Sequence, residues 1–449
     1  MTLDRRSLIG VGLGLGAVAT AARATESGPA PRAASAVSLD LAPDDNRDQT
    51  AALQAAIDTA AEKDIPLVLP PGKFIVSDLR LRAGTRLIGT ARTTTLVFAG
   101  GAAFVTADKT DGLVLDGISL DGAYKAFDVS RGDGLINLSR CKNVHLADLD
   151  IRNSFGIGLS LVECGGCIKG ISISNALDAG LKSLDSHGLD ITGNIVTDCG
   201  NNGILVWRSR AEEDGTIVSS NRISKIRNAA GGTGEYGNGI NVFRAGSVLV
   251  TGNRIFDCVY TAVRGNAASN IQIIANSCER LGEVALYAEF GFEGALIANN
   301  LVDAAATGIS VTNFNEGGRL AVIQGNLIRN LFRREHEKDD KRGEGIGVEA
   351  DAVVIGNTIE NAPTVGIQIG WGTFMRDVSA TGNVIRRARV GISVTGAPEA
   401  GKCLIANNLI SNAKDGAIRE MQFGKMVGPD LVREPGANQR IQLSGNVAV

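Results

Sequence analysis

The residues best suited to bind or transform a ligand recur at fixed places in a repeated phrase. The phrase Gly-Ile-x-Val, with variants, ends each copy, and its apolar residues alternate with the residue at x. Such alternation is typical of a half-buried strand, in which every second side chain points outward. Stacked copies therefore present two outward columns, the first at x and the second two residues later. The first column is Lys182, Leu205, Asn241, Arg264, Tyr287, Ser310, Gly347 and Gln368, and the second is Leu184, Trp207, Phe243, Asn266, Glu289, Thr312 and Glu349.

These columns predict a ligand-binding face rich in arginine and aromatic side chains. Arg208 and Arg244 occupy the same place just after their strands. Like charges about 5 Å apart on neighbouring strands repel, and an anionic ligand would relieve that repulsion. Arginine binds carboxylates through a planar fork, and aromatic rings can stack on sugar rings. An alternative interpretation is an ordinary surface with internal ion pairs, for example between Arg264 and Glu289. The candidate substrate-binding residues are Trp207, Arg208, Asn241, Arg244 and Arg264.

The candidate catalytic residues are Tyr287, Glu289 and His187. Histidine can act as a base near neutral pH, which makes His187 a candidate for proton transfer. A lone histidine is also common at turns and surfaces, and both interpretations of His187 stay open. His187 lies near Asp185 and Lys182 in the sequence, and His145 and His336 are weaker candidates.

No metal site or cofactor can be assigned from the residue pattern. One Cys-x-x-Cys pair, Cys164 and Cys167, stands without a second pair or a histidine cluster. A calcium site built from Asp and Glu stays open, and the cofactor stays unknown. The chain has seven cysteines, so at least one lacks an internal disulfide partner. Cys199 and Cys258 occupy a repeat position that elsewhere holds alanine, which predicts small buried core residues.

The element that must position these residues is a repeat of roughly two dozen residues. Each copy begins with Gly-Asn-x-Ile-x-Asn or a variant, and its segments are too short for helices but suit strands. One such coil cannot bury its own apolar face, so the coils must stack, with a rise of about 4.8 Å each. About a dozen repeats, or thirteen coils, are expected. The leading asparagines are Asn194, Asn221, Asn253, Asn276, Asn300, Asn326, Asn357, Asn383 and Asn408.

The recurrent asparagine is predicted to be structural. Asparagine tolerates left-handed backbone geometry, and identical asparagine side chains can hydrogen-bond along a stack. The sequence therefore predicts an all-β fold, a single-stranded right-handed parallel β-helix. A helix through residues 49–63, with Asp48 or Asn46 as its cap, is expected to cover the first coil and protect its open strand edge.

The domain organisation follows from the two ends of the chain. Residues 1–24 are predicted to be a signal peptide, because Arg5-Arg6 precede an apolar run and Ala22-Arg23-Ala24 fits a cleavage site. The order resembles a twin-arginine signal, with an ordinary secretory signal as the alternative. Residues 25–39 are interpreted as a linker, 40–418 as the β-helix with its N-terminal cap, and 419–449 as an irregular C-terminal cap.

Composition limits the partners. Without residues 1–24, 42 basic and 47 acidic residues leave a net charge of −5, which argues against general nucleic-acid binding. The sequence after residue 24 contains no run of about 18 apolar residues, so no stable membrane span is expected after cleavage. The protein is therefore expected in the periplasm or secreted, with the twin-arginine export machinery as one partner.

Residues 44–89, from DDNRDQTAALQAAI to the strand ending in Leu-Ile-Gly, resemble the N-terminal segment of pectate-lyase-like β-helix proteins. The later repeats are similar to those of alginate epimerases and periplasmic copper-site maturation factors. The combination resembles an uncharacterised family of twin-arginine-translocated repetitive proteins, over about residues 40–418. The acidic motif of polygalacturonases and the Asp-Pro-His-Asp-type element of alginate epimerases are both missing, which counts against transferring either activity.

The resemblance implies a protein that binds or modifies carbohydrate, with an acidic polysaccharide or another glycan as partner. In a lyase or epimerase, Arg244 and Arg264 would neutralise the sugar carboxylate and lower the pKa of the adjacent C–H. Tyr287 or His187 would exchange the proton, and Glu289 would orient the reacting groups. The alternative is a non-catalytic scaffold that binds glycan or another envelope protein, which the missing catalytic motifs favour.

Overall fold

Three walls of parallel strands, which follow one another along the chain in every coil, form the fold. The computed structural model describes residues 40–449 except 233, 335–342 and 435–437. The predicted signal peptide 1–24, the linker 25–39 and His336 lie outside these residues. Among the described residues, no helix is long and apolar enough to cross a membrane.

Wall 3 has fifteen strands, each paired in parallel with the next coil, and so gives fifteen coils rather than the thirteen expected. Its strands are Leu67–Val68, Arg86–Ile88, Val114–Asp116, Val144–Ala147, Gly166–Lys169, Asp190–Thr192, Ile217–Ser219, Leu249–Thr251, Ile271–Ile274, Glu293–Ala298, Arg319–Gln324, Ala352–Ile355, Val378–Thr381, Cys403–Ala406 and Ile441–Ser444.

Walls 1 and 2, together with the hairpin strand Lys425–Asp430, form one 27-stranded sheet, because four long strands run through both walls. These shared strands are Ser277–Glu289, Leu301–Val311, Thr358–Ile369 and Val384–Thr395. The other strands of wall 1 are Asp45–Asp48, Gly72–Val76, Thr94–Phe98, Ser119–Asp121, Asp150–Arg152, Ser172–Ser174, Ile195–Thr197, Arg222–Ile226, Arg254–Cys258, Leu327–Arg329, Leu409–Ser411 and Val447–Ala448. The other strands of wall 2 are Leu79–Arg80, Val105–Asp108, Gly134–Ser139, Ile157–Val162, Ala179–Leu184, Asn202–Glu213, Asn238–Gly246, Val263–Asn266, Glu344–Val348 and Ile418–Gln422.

The interior of the coils is filled by stacked aliphatic side chains from all three walls. In wall 2, Ile204, Ile240 and Val263 lie directly over one another in the strand register and are fully buried. Cys199 and Cys258 are buried in the same core, as the repeat position predicted. Because every coil offers the same inward positions, the core continues along the stack without a break.

Ten asparagines form an uninterrupted ladder inside the stack. In each step the side-chain oxygen of one asparagine accepts hydrogen bonds from the backbone N–H and the Nδ2 of the asparagine one coil earlier, at 2.8–3.1 Å. The ladder includes all nine predicted asparagines and ends at Asn446, which the repeat pattern missed because 38 residues separate it from Asn408. The structure confirms the parallel β-helix.

The one α-helix among the described residues spans Thr50–Glu62 and turns Leu53, Ala56, Ile57 and Ala60 into the core. Its N-cap residue is Gln49, without a side-chain cap, rather than Asp48 or Asn46. Asp48 instead accepts a hydrogen bond from the backbone N–H of Thr50 at 2.8 Å. The helix packs against the first strands of all three walls, and its capping role stays a prediction. Two 3-10 turns, Val129–Arg131 and Phe314–Glu316, lie in connections.

The segment 419–449 contains more regular structure than the irregular cap expected from sequence. Lys425–Asp430 pairs antiparallel with Ile418–Gln422 and forms a hairpin beside wall 2. Ile441–Ser444 and Val447–Ala448 then add one more strand each to walls 3 and 1. The apolar alternation of these last strands was too short to be recognised in the sequence.

Asn253→Ala tests the ladder. The substitution removes the buried acceptor of the N–H and Nδ2 of Asn221 and the Nδ2 donor to the carbonyl of Val218. The oxygen of Asn276 loses one of its two donors and keeps the backbone N–H of residue 253. Since each unsatisfied buried polar group costs about 1–3 kcal/mol, we expect a loss of about 3 kcal/mol in the free energy of unfolding, measured by urea denaturation. Asn315→Ala, on an exposed turn, is the control and should change stability little. Equal effects of the two variants would contradict the structural role of the ladder.

Candidate functional site

The outward face of wall 2 carries the two columns that the repeat predicted. Strand pairing places Lys182, Leu205, Asn241, Arg264, Tyr287, Ser310, Gly347 and Gln368 in one register. It also aligns Leu184, Trp207, Phe243, Asn266 and Glu289. Longer connections flank this wall, among them residues 227–232 and 234–237 before it and 370–377 after it. We call this face the wall 2 surface.

The centre of the wall 2 surface is an aromatic and amide patch. Trp207 donates its indole N–H to the side-chain oxygen of Asn241 at 3.3 Å and meets the ring of Phe243 edge-on, with centroids 6.1 Å apart. A cavity of about 270 Å³ lies over these residues and is also lined by Glu235, Arg264 and Asn266. A flat, half-buried ring that is held by a buried amide is a surface on which a sugar ring can stack.

Arg264 is held by the protein rather than offered to a ligand. Its guanidinium forms an ion pair with Glu289 at 2.5 Å and donates to the carbonyl oxygen of Gly234. Both side chains are largely buried, and Asn266 adds a hydrogen bond to the Glu289 carboxylate at 2.9 Å. Burial raises the pKa of Glu289, while Arg264 and the hydrogen bonds oppose that rise. The structure thus shows the internal ion pair that was the alternative interpretation.

Arg208 and Arg244 do not form a strip with Arg264. Arg208 is buried, donates to the carbonyl of Ser186 at 3.0 Å, and lies 3.0 Å from Glu212 and 3.7 Å from Asp214. Arg244 is exposed, packs over the Phe243 ring at 4.6 Å and donates to the carbonyl of Ser209 at 3.0 Å. The shared sequence position gave the two residues different environments because the strand Asn202–Glu213 continues five residues beyond Arg208.

A second cavity, of about 340 Å³, begins at Tyr287 and extends over the next three coils. Burial raises the pKa of Tyr287 above its ordinary value, so the phenol is protonated at neutral pH and can donate a hydrogen bond. Gly347 forms part of the floor, where an added Cβ would meet only the Glu344 carboxylate, at 3.9 Å. Its missing side chain makes room within the outward column.

Glu349 and Trp371 line the same cavity and were not selected from the sequence. Glu349 is buried and accepts the backbone N–H of Phe314 at 2.7 Å, and burial raises the pKa of its carboxyl. It stood in the second column, but only the cavity distinguishes it from its neighbours there. Trp371 follows the strand Thr358–Ile369 and lies outside the repeat, which left no periodic signal for it.

His187 lies apart from the other catalytic candidates. It is exposed on the turn after the strand Ala179–Leu184, four coils from the strand that holds Tyr287 and Glu289. Four strand spacings amount to about 19 Å. His187 and Tyr287 therefore cannot serve one reacting sugar, although Tyr287 and Glu289 do lie together.

The described residues form neither a cluster of metal ligands nor a disulfide bond. Among the described residues, no group of three or more His, Cys, Asp or Glu side chains is arranged to hold a metal ion. All seven cysteines are free, and only Cys167 among them is not buried.

The fold and the wall 2 surface define a pectate-lyase-like β-helix protein. The sequence profile described as rhamnogalacturonase A/epimerase, pectate lyase-like matches residues 34–259, and that of the right-handed β-helix region matches residues 211–385. The chain belongs to the pectate-lyase-like β-helix family. None of the curated proteins matches it.

Several solved structures are similar to this chain at low identity. The catalytic unit of a thermostable GH87 alpha-1,3-glucanase from Streptomyces thermodiastaticus is 16% identical, with a TM-score of 0.48, over 94% of this chain and 70% of that one. PfbA, a surface adhesin of Streptococcus pneumoniae, is 14% identical, with a TM-score of 0.47, over 86% and 91%. The A-module of mannuronan C-5 epimerase AlgE6 from Azotobacter vinelandii is 13% identical, with a TM-score of 0.37, over 92% and 98%.

Arg264→Gln tests whether the arginine is structural. Removing one partner of a buried ion pair leaves the Glu289 charge uncompensated, so we expect a loss of about 3–5 kcal/mol at neutral pH. The double variant Arg264→Gln/Glu289→Gln should recover most of that loss. Thermal and urea unfolding of the three proteins measure both effects. A single variant as stable as the parent would show that the pair is not coupled.

The pH dependence of the Arg264→Gln variant gives a second readout. Because the pKa of folded Glu289 is raised above its unfolded value, the contribution of Glu289 to stability falls as pH rises through that window. Losing Arg264 raises this pKa further. The stability deficit of the variant should therefore shrink on acidification, when Glu289 becomes protonated, and the double variant should lack this recovery.

Proposed function

We propose that the protein is an exported carbohydrate-binding β-helix that holds an extended glycan chain along the wall 2 surface. The observation that carries the proposal is the continuous register of outward aromatic and amide side chains over neighbouring coils, with cavities of about 270 and 340 Å³ above them. Membership of the pectate-lyase-like family supports a glycan as the ligand. Export through the twin-arginine pathway to the periplasm is part of this proposal.

A linear polymer suits this surface better than a small molecule does. The side chains repeat at one strand spacing, about 4.8 Å, so successive units of a ligand meet similar groups in successive coils. The two cavities are at or just below the lower end of the size range of small-molecule pockets and lie along one wall. Each cavity can thus accept part of a chain whose remaining units contact the strands between.

Most of the basic side chains in the middle of the wall 2 surface are paired or buried, which favours binding through stacking and hydrogen bonds. Arg264 is neutralised by Glu289, Lys182 forms an ion pair with Asp133, and Arg208 is buried. Arg244 alone among the arginines expected to form the strip is exposed. An acidic polysaccharide bound near Trp207 would therefore contact one exposed arginine of these three, Arg244. Aromatic contacts supply most of the affinity there.

Trp207→Ala tests the binding proposal, with isothermal titration calorimetry on neutral and acidic hexasaccharides. We expect affinity to fall about tenfold, because the ring offers the largest apolar contact on the surface. Trp207→Phe should keep part of the affinity. Phe256→Ala removes an aromatic from wall 1 instead and should leave binding unchanged. Unchanged binding in a folded Trp207→Ala protein, or equal losses in the two alanine variants, would overturn the proposal.

The second candidate function is modification of the bound glycan by a lyase or epimerase. The specific observation is that Tyr287, a proton donor, and Glu349, whose pKa is raised by burial, line one cavity. Glu349 would remove the proton next to the sugar carboxylate. Tyr287 would donate a proton to the leaving oxygen in a lyase, or to the opposite face of the carbon in an epimerase. Arg264, 5.4 Å from the Tyr287 ring, would supply positive charge that it shares with Glu289. Because Glu289 already pairs with Arg264, less positive charge is available to a sugar carboxylate, and binding without catalysis is the leading proposal.

Tyr287→Phe and Glu349→Gln test this second candidate. If the protein turns over a uronate polymer, each variant should lower the rate at least 100-fold and leave the affinity for the polymer within about twofold, since general acid–base catalysis contributes 10²–10⁴-fold. Product is measured by absorbance of unsaturated uronate and by NMR of epimerised residues. Gly347→Leu, which fills the cavity floor, should block turnover by excluding the sugar. Absence of turnover by the parent protein across uronate polymers would leave the binding proposal alone.

A further inference from the structure

A third cavity on the wall 2 surface lies at its N-terminal end, away from the residues discussed so far. It has a volume of about 500 Å³ and is lined by three arginines, Arg80, Arg131 and Arg140. Thr106 and Asn137 form its floor, and strand pairing places Arg80, Thr106 and Asn137 in the same outward column that later contains Asn241 and Tyr287. The cavity is therefore a part of the same surface.

The arginines at this cavity are less fully neutralised by ion pairs than the basic side chains in the middle of the wall 2 surface. Arg140 forms an ion pair with Asp108, which also lines the cavity. Arg80 and Arg131 are exposed and form no ion pair with any described residue. Nearby Asp128 has its pKa lowered mainly by hydrogen bonds from Ser130, with Arg131 as the smallest contribution. Two of the three guanidinium groups thus remain available.

We propose that this cavity is a subsite for the anionic group of a sugar residue, with a uronate carboxylate as the expected ligand. The inference rests on the proposed glycan-binding function and adds the substrate class. A carboxylate accepts two parallel hydrogen bonds from one guanidinium. Neighbouring arginines at the same cavity supply positive charge that offsets the cost of removing the carboxylate from water. Neutral sugars gain nothing comparable from the same groups.

The position of the subsite fits a chain that continues to the aromatic patch. Asn137 pairs in register with Ser160, Ser160 with Lys182, and Lys182 with Leu205, whose strand contains Trp207. Three coil steps, about 14 Å, therefore separate the subsite from Trp207. An oligosaccharide of several residues can contact both, whereas a single sugar can occupy only one.

The test compares the parent protein with Arg80→Gln/Arg131→Gln, using hexagalacturonate, a sulfated hexasaccharide, a neutral glucan hexamer and free galacturonate. The matched control is Arg92→Gln/Arg222→Gln, which removes the same charge from exposed arginines outside wall 2 that also form no ion pair with a described residue. We expect the affinity for hexagalacturonate and galacturonate to fall about tenfold in the first variant, with neutral glucan unaffected and the control unchanged. Arg80→Lys/Arg131→Lys should recover only part of the affinity because it keeps charge without the planar fork.

The outcomes separate the subsite from the proposed function. Hexagalacturonate binding that is the same in the parent and in Arg80→Gln/Arg131→Gln overturns the subsite and leaves glycan binding standing. Loss of neutral glucan binding in that variant, or an equal loss in the control, also overturns it. If no hexasaccharide binds to the parent, the proposed function fails, and galacturonate binding that depends on Arg80 and Arg131 would then support an anion site alone. Stronger dependence for the sulfated hexasaccharide than for hexagalacturonate would overturn the choice of carboxylate.

Discussion

The parallel, in-register stacking of coils is the constraint on which the rest of the structure depends, and the asparagine ladder fixes it. A coil shifted by one residue would turn its apolar side chains outward and its polar ones inward. It would also break the ladder, in which each asparagine satisfies a buried backbone N–H and a buried amide of the coil before it. Polar groups buried in the core are expensive unless paired, so the ladder specifies a single register along ten coils.

The same constraint determines how charge is tolerated. Neighbouring coils bring side chains of one column within about 5 Å of each other, so an uncompensated charge on one coil acts on the next. In the middle of wall 2, ion pairs connect side chains of different coils, Arg264 with Glu289 and Lys182 with Asp133. At the N-terminal end Arg80 and Arg131 have no such partner among the described residues. Under the proposed glycan-binding function, these two regions would bind a ligand through different chemistry, stacking in the middle and ion pairing at the N-terminal end.

Binding and catalysis make different demands on this surface. Stacking and hydrogen bonding need only side chains at regular intervals, which repetition supplies at every coil. Proton transfer needs a donor and a base at one sugar carbon, and repetition by itself does not bring these together. Tyr287 and Glu349 line one cavity although they lie two coils apart, and Gly347, in the coil of Glu349, leaves room in its floor. The turns, where the repeat is interrupted, add Glu235 and Trp371 to the two cavities.

The sequence by itself determined the stacked parallel coils, nine of the ten ladder asparagines and the outward columns, because these follow from local periodicity and every coil repeats the same environment. It could not determine which outward charges were free. Arg208 and Arg244 share one repeat position and Arg264 lies in the first outward column, yet Arg208 is buried, Arg244 is exposed and Arg264 is paired with Glu289. It also could not show that His187 lies four coils from Tyr287, or that Glu349, Trp371 and Arg80 line cavities. Those facts depend on turn geometry and on contacts between coils distant in sequence, which only the tertiary structure brings together.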